Sequence, residues 1–390
     1  MDLENFCCLG KIGVDDFLKN YWQQKPLLIK NAFPYFTAGI KAPISADELA
    51  GLACEENVNA RIVLEKDGDY PWQIEFGPFE ESRFSELPES NWSLLVSDVE
   101  KHLPETKTLL KYFQFIPDWR VDDLMISYAP EGGSVGAHTD AYDVFLIQLS
   151  GQRLWKIAKN YAEETLNNVD LCILKNFIAE DEWSLNAGDM LYLPPNVAHH
   201  GIAQDNGEPC LTASVGFRAP SLKTITSDYI NYLNENTHGT ERYRDNTAKP
   251  PAHHAEIDDN TVSRFTDYLK QGLTLDRENI SHWLGKYFSD DKTYESEIVE
   301  QFLKNYDEIE KIATHNNFIQ SPYSHFLFSQ NDNKAFLFVN GSSYSVSKFF
   351  AETICDDELI DFEKLQSKMK ENDKNTFLQL FNAGAIITEK

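Results

Sequence analysis

In GAHTDAYDVFLIQLSGQRLWKI (136–157), a histidine and an aspartate two residues apart, His138 and Asp140, precede a long apolar run. A histidine pair, His199-His200, follows Pro194-Pro195 in YLPPNVAHHGIA, and His199 lies 59 residues beyond Asp140. Two histidines and one carboxylate on one side of a metal are what a mononuclear iron oxygenase needs, because three positions then stay open for cosubstrate and oxygen. The side-chain period of two in an extended strand puts His138 and Asp140 on the same side. The glycines of EGGSVGA just before them let the backbone bend toward a metal. Taken singly, H-x-D is more often a surface or hydrogen-bonded pair, and a His dipeptide is no more specific. The joint pattern of H-x-D, strand, turn and P-P-x-x-x-H carries the reading. Spacing from Pro195 favours His199 as the third ligand, with His200 as the alternative. His253-His254 sits in a Pro/Ala stretch without a carboxylate companion and reads as solvated.

Arg153 stands thirteen residues after Asp140, past the Ser150-Gly151 turn, at the start of a returning strand. Facing solvent, it would need no explanation. Pointing inward, it would be a buried charge that is costly without an anion. A dicarboxylate cosubstrate supplies that anion, and a guanidinium grips a carboxylate with two bonds. Tyr142 and Trp155 could shape the same pocket, although aromatic residues flanking strands are more often core.

The elements that must position these side chains are short strands between Gly/Pro turns. The candidates are 123–129, 144–150, 153–158, 189–194, 200–203 and 210–218, a pattern that suggests a sandwich or small barrel. VFLIQLS (144–150) is apolar on both faces and reads as an interior strand. Upstream, 14–33 reads as a helix running into a short strand, with Pro26 at the change. Residues 45–55 read as a second helix, with Ser45 as N-cap and Glu48 three residues on. Downstream of Ala219-Pro220, helices are expected at 222–236, 259–273, 276–288 and 294–313. A linker is expected at 247–254 and a hairpin at 335–346, with Asn340-Gly341 as its tight turn. Strand, turn and short helices in the tail suggest a winged helix. The organisation expected is an α+β chain in three parts: 1–220 a barrel domain, 221–280 helical, and 281–390 winged-helix-like.

The 390 residues carry 35 Lys and Arg against 62 Asp and Glu, a net charge of −27. Such a field repels nucleic acid and anionic lipid and attracts basic partners. Residues 281–390 hold 11 Lys and no Arg against 18 acids, which argues against a DNA-reading wing. No apolar run of membrane-spanning length occurs and the N-terminus lacks signal-peptide character, so a cytoplasmic location is expected. The six cysteines form no C-x-x-C pair and are expected to be mostly buried free thiols.

At this point the residues resemble a known family, the JmjC-type, cupin-fold 2-oxoglutarate oxygenases. They are more similar still to the bacterial ribosomal oxygenases that hydroxylate an arginine of large-subunit ribosomal protein sixteen. FLKNYWQQKPLLIKNAF, NWSLLVSDVE, PDWRVDDLMISYA, HTDAYDVFLIQ, YLPPNVAHHG and SVGFRAP carry the resemblance over about residues 16–220. It implies a double-stranded β-helix that binds Fe(II) through His138, Asp140 and His199. It also implies 2-oxoglutarate as cosubstrate, held at its far carboxylate by Arg153 and Ser127, and O2 as oxidant. The reaction implied is hydroxylation of an arginine in a basic ribosomal protein, with succinate and CO2 as coproducts. Glu131, beside the metal loop, and Asp143, after it, could face such an arginine or be solvated loop acids, and by the family pattern the helices of 221–280 would form a homodimer interface. Two departures stand out: Asn196 where the family often has glycine, and Thr212 where it often has asparagine. The rival readings are the same chemistry on an asparaginyl or histidyl side chain, a non-oxygenase metal cupin, and a nucleic-acid regulator.

Overall fold

A computed structural model describes residues 8–37, 42–66, 71–167, 169–236, 242–244, 253–273, 275–290, 302–331, 334–356 and 358–389. The chain divides into two compact units, 1–219 and 220–390.

In the first unit the strands are β1 (Leu27–Ile29), β2 (Ala60–Glu65), β3 (Trp72–Phe76), β4 (Trp92–Val96), β5 (Val121–Ala129), β6 (Asp143–Ser150), β7 (Gln152–Ala158), β8 (Asp181–Asn186), β9 (Met190–Leu193), β10 (Ala198–Gln204) and β11 (Cys210–Phe217). They form an eight-stranded antiparallel sheet, β1-β9-β6-β11-β5-β4-β2-β3, and a three-stranded one, β10-β7-β8. The two sheets face each other across a small core to which Val144, Leu146, Leu191 and Leu193 contribute from one side, and Trp155, Ile157 and Leu185 from the other. The reverse face of the large sheet, including Phe145, Ile147, Tyr192, Val215 and Phe217, buries against the N-terminal helices. This explains VFLIQLS: β6 lies between β9 and β11 and has apolar neighbours on both faces. All six expected strands are present to within two residues at each end. β2, β3, β4 and the acidic edge strand β8 were not anticipated.

The helix Val14–Asn20 has Asp15 and Asp16 in its first turn and Lys19 in its last, the arrangement that suits a helix dipole. It buries Phe17 against Tyr192 and Phe145, with ring centroids 5.0 and 5.6 Å apart. The helix Ala46–Leu52 carries the expected capping box, with Ser45 and Glu48 each closing on the other's backbone N–H. Two buried carboxylates pin the N-terminal segment to the barrel. Asp189 accepts from Asn31 N, Lys30 Nζ and Asn186 N, each at 2.8 Å. Asp143 is fully buried and accepts from Tyr192 Oη (2.6 Å), Gln23 Nε2 (3.0 Å) and Arg120 Nη2 (3.1 Å). Asp143 is therefore a structural clamp and does not face a substrate.

Glu100 is buried and accepts from Leu124 N at 3.1 Å. Burial first, then Asp98, pushes its pKa up from 4.5 to about 8. Between those values the folded chain keeps a proton that the unfolded chain releases. This contribution to stability is present at low pH and is lost as pH rises through about 8. Glu100→Gln keeps an acceptor for Leu124. Thermal unfolding should show no gain at pH 4.5 and a gain on the order of 2 kcal/mol at pH 8.5.

In the second unit the helix Leu222–Asn236 packs on Arg277–Ser289 through Tyr229, Leu233 and Trp283, and Trp283 Nε1 donates to Asp228 at 2.8 Å. The helix Asp259–Gly272 buries none of its residues. Two three-stranded sheets follow. One joins β12 (Phe318–Gln320), β16 (Leu359–Ile360) and β17 (Ile386–Thr388); the other joins β13 (Phe326–Gln330), β14 (Ala335–Val339) and β15 (Ser342–Val346). The β14–β15 turn is Asn340-Gly341, both left-handed with φ of 48° and 73°, as the sequence predicts. Of the helix expected at 294–313, Tyr306–Ala313 is observed, and 294–301 lies outside the described residues, as does 247–252 of the linker. No described helix is long and apolar enough to cross a membrane. The cysteines correct one expectation. Among the five described, only Cys8 and Cys210 are buried, while Cys54 and Cys355 are partly exposed and Cys172 is exposed.

Candidate metal and cosubstrate site

His138 arrives on the Gly-rich loop ahead of β6 and forms an isolated antiparallel bridge with His199 at the start of β10. The backbone bonds are 3.0 Å from His138 N to His199 O and 2.9 Å in the reverse sense. The bridge sets the two rings 4.3 Å apart, centroid to centroid. Each Nδ1 faces a carbonyl oxygen, Gly136 O for His138 and Val197 O for His199, both at 3.0 Å. A carbonyl can only accept, so both Nδ1 atoms carry the proton and both Nε2 atoms present a lone pair. The two Nε2 atoms lie 3.9 and 3.5 Å from Asp140 Oδ2. The ligand atoms of the three residues fall within 4.8 Å of one another, and this is the one such cluster among the described residues. Metal bonds of about 2.1 Å at right angles put neighbouring ligands about 3 Å apart, so a small contraction closes the set on an ion.

Electrostatics favour a cation here. Burial pushes His199 down to about 3, which keeps the ring neutral and able to ligate at physiological pH. Burial raises the Asp140 carboxyl above its ordinary value, opposed by His138 and by a hydrogen bond from Tyr142. A bound dication reverses the cost of that ionisation. His200 points the other way along β10, toward Phe177, and stands outside the cluster. Asn196 adopts φ +61°, the left-handed conformation that glycine would supply, and its N–H donates to Asp140 O at 2.7 Å. The departure from glycine thus leaves the turn intact.

Arg153 lies on the same face of β7 as Trp155 and Ile157, with a relative exposure of 4%. Its Nε and Nη2 have no hydrogen-bond partner. An inward guanidinium with orphaned donors calls for an anion of the kind a distal carboxylate supplies. Ser127 on β5 is buried and reaches Thr212 O at only 3.4 Å, a weak bond that a better acceptor would replace. Thr212 spends its hydroxyl proton on Gln148 Oε1 at 3.1 Å. In register, Gln148, Thr212 and Ser127 form one polar row across β6, β11 and β5.

Sequence reasoning missed Asp123, Met125 and Gln148. The signal was available: Asp123 and Met125 alternate with the outward-packed Leu124 and Ile126 on the strand that carries Ser127. A Cβ placed at Gly216 would stand 3.2 Å from Asp123 Oδ1 and 3.8 Å from Tyr142 Cε2, so carboxylate and ring flank one spot. Arg61 reaches over the same region, its Nη2 being 3.8 Å from Met125 Sδ.

A family model described as the JmjC domain matches residues 108–225. The ribosomal protein uL16 3-hydroxylase of Escherichia coli K12 is 38% identical over 275 residues, covering 70% of each chain. The crystal structure of E. coli YcfD superposes with a TM-score of 0.86 at 30% identity, over 97% of this chain and 99% of that one. The chain belongs to the JmjC-domain ribosomal oxygenases. A probable ribosomal oxygenase of Haemophilus influenzae is 41% identical over 225 residues, 57% of this chain and 53% of that one. The E. coli ribosomal oxygenase YcfD in complex with cobalt and 2-oxoglutarate superposes with a TM-score of 0.83 at 30% identity, again over 97% of this chain and 99% of that one. In this ribosomal oxygenase the donor set His138, Asp140, His199 fits a divalent metal, and the orphaned Arg153 fits the carboxylate of a 2-oxo acid.

Proposed function

We propose that this ribosomal oxygenase is an Fe(II)- and 2-oxoglutarate-dependent protein hydroxylase that acts on an arginine side chain of a large-subunit ribosomal protein, with succinate and CO2 as coproducts. The observation that carries the reading is a lone-pair triad and an orphaned inward arginine facing one barrel interior. His138, Asp140 and His199 hold the metal, and Arg153 and Ser127 orient the far carboxylate of 2-oxoglutarate. Bound there, iron and 2-oxoglutarate supply the O2 activation and the electrons that C–H hydroxylation requires.

The target class rests on charge and on the mouth of the site. The relative named as a uL16 3-hydroxylase acts on a ribosomal protein. A net charge of −27 draws such basic proteins in by long-range attraction. At the mouth, Asp123 and the Tyr142 ring flank the cradle over Gly216, with Met125 beside them on the strand, a shape and charge suited to a guanidinium. Burial first, then Asp98 and Asp122, pushes Asp123 up to about 7. An ionised Asp123 binds the arginine, so kcat/KM for a basic peptide should rise with pH through about 7 and then level off. Asp123→Asn should remove that limb and raise KM about tenfold or more.

The test is 2-oxoglutarate turnover with Fe(II), with and without the purified ribosomal protein, followed by intact-mass analysis and mapping of the modified residue. One added oxygen on arginine supports the reading. Succinate without protein oxidation, or oxygen on an asparaginyl or histidyl side chain, sinks the arginine target.

The same reading gives 1–220 to catalysis, 221–280 to pairing of two copies and 281–390 to a winged-helix-like domain that contacts protein. It places the enzyme in the cytoplasm with no direct contact to nucleic acid. Val262, Phe265 and Leu269 line an exposed stripe at helical spacing on Asp259–Gly272, and a second copy would cover it. Leu269→Arg should convert a dimer to a monomer in light scattering and leave hydroxylation per site intact.

A further inference from the structure

The Trp155 indole Nε1 is a buried donor without a hydrogen-bond partner, on a side chain only 6% exposed. A buried indole N–H normally finds an acceptor, and leaving it unmade costs free energy. Its position in the ladder gives the reason. On β7, Arg153, Trp155 and Ile157 stand opposite Ala203, Gly201 and His199 of β10. Trp155 therefore occupies the level between the proposed metal ligand His199 and the proposed carboxylate anchor Arg153. Its ring centroid is 5.8 Å from that of His199, and Arg153 Cζ lies 5.8 Å from the Trp155 ring. Gly201 fixes the orientation. A Cβ there would stand 2.7 Å from both Cη2 and Cζ3, so the benzo edge lies directly on the β10 backbone. Nε1 is on the opposite edge of the indole and turns away from β10.

Three orphaned donors, Arg153 Nε, Arg153 Nη2 and Trp155 Nε1, thus belong to two neighbouring inward residues of one strand. A carboxylate has about four lone-pair sites and can take all three. We infer that Trp155 is a further cosubstrate-binding residue whose indole N–H donates to a carboxylate oxygen of 2-oxoglutarate, beside the guanidinium of Arg153. This rests on the reading of Arg153 as the cosubstrate anchor. It makes Gly201 a specificity residue as well, because any larger side chain would push the indole off its seat.

The experiment uses the full chain loaded with Mn(II) under anaerobic conditions and reads 2-oxoglutarate binding by calorimetry. Trp155→Phe keeps an aromatic ring on Cβ and removes the donor together with the fused benzo ring that rests on Gly201. The dissociation constant should rise about tenfold or more, as expected for a hydrogen bond to a charged group. The Mn(II) affinity should stay at the wild-type value, whereas the melting temperature without cosubstrate should fall modestly because a cavity replaces the benzo ring. Independently, the 15N-indole resonance of Trp155 in the wild-type protein should shift when 2-oxoglutarate is added and stay put when it is added to Arg153→Met. Unchanged 2-oxoglutarate affinity in Trp155→Phe, or an indole resonance that ignores the cosubstrate in the wild type, overturns the inference while leaving the oxygenase reading standing. A wild-type protein that binds no 2-oxoglutarate overturns both.

Discussion

Asp140→Ala should eliminate hydroxylation, by at least about a thousandfold, and the loss should trace to the metal. Asp140 contributes the single carboxylate of the cluster, and its Oδ2 is the atom on which both histidine Nε2 atoms converge. Two neutral imidazoles without it bind a divalent ion much more weakly and leave its charge uncompensated. Calorimetric titration with Mn(II) or Co(II) should show the wild-type site vanish in the variant. The folded protein without metal should be no less stable, because burial already raises the Asp140 carboxyl and the alanine relieves that cost. That separation of outcomes matters: a large drop in melting temperature would mean a structural role, and retained tight metal binding would sink the ligand assignment. His199→Ala should behave like Asp140→Ala, whereas His200→Ala should keep the metal, since His200 lies outside the cluster on the alternate face of β10.

Arg153→Met should abolish productive 2-oxoglutarate binding yet leave the protein without cosubstrate as stable as before, or more so. The guanidinium is buried with two of its nitrogens unbonded, so it is a cost to the fold until an anion arrives. Methionine fills much of the same volume without the charge. Removing one member of a buried charge pair costs about 2–5 kcal/mol, which corresponds to about one and a half to three and a half orders of magnitude in affinity. The readouts are the melting temperature with and without saturating 2-oxoglutarate, and the dissociation constant with a redox-silent metal. A destabilised variant, or one that keeps its affinity, would show that Arg153 serves the core and not the cosubstrate.

Both effects concern residues that were legible before any fold was known. H-x-D and P-P-x-x-x-H have chemistry as their simplest explanation when they occur together, and the Gly/Pro turns between short apolar runs placed strands at 189–194 and 200–203, observed as Met190–Leu193 and Ala198–Gln204. Ser45 and Asn340-Gly341 were legible for a similar reason: a capping box and a left-handed turn are properties of neighbouring residues. Local physics is written locally.

What the sequence left open involved distant partners. It favoured His199 over His200 by spacing alone, and the antiparallel bridge between His138 and His199 is what turns one ring toward the cluster and the other out. It could not say whether Arg153 faced solvent, because the alternation of β7 has no meaning until β8 and β10 flank it. Asp143 looked like an acid near the substrate and proved to be the clamp for Gln23, Arg120 and Tyr192, separated from it by 120, 23 and 49 residues. Asp123 stayed hidden as one acid among 62, and stands out only because a Cβ placed at Gly216 would meet its Oδ1 at 3.2 Å and Tyr142 Cε2 at 3.8 Å. The sequence by itself determined the candidate ligand types, the strands that carry and flank them, and the class of chemistry. The tertiary structure alone decided which side chains meet, because burial and electrostatic pairing are properties of the space between strands and not of their order.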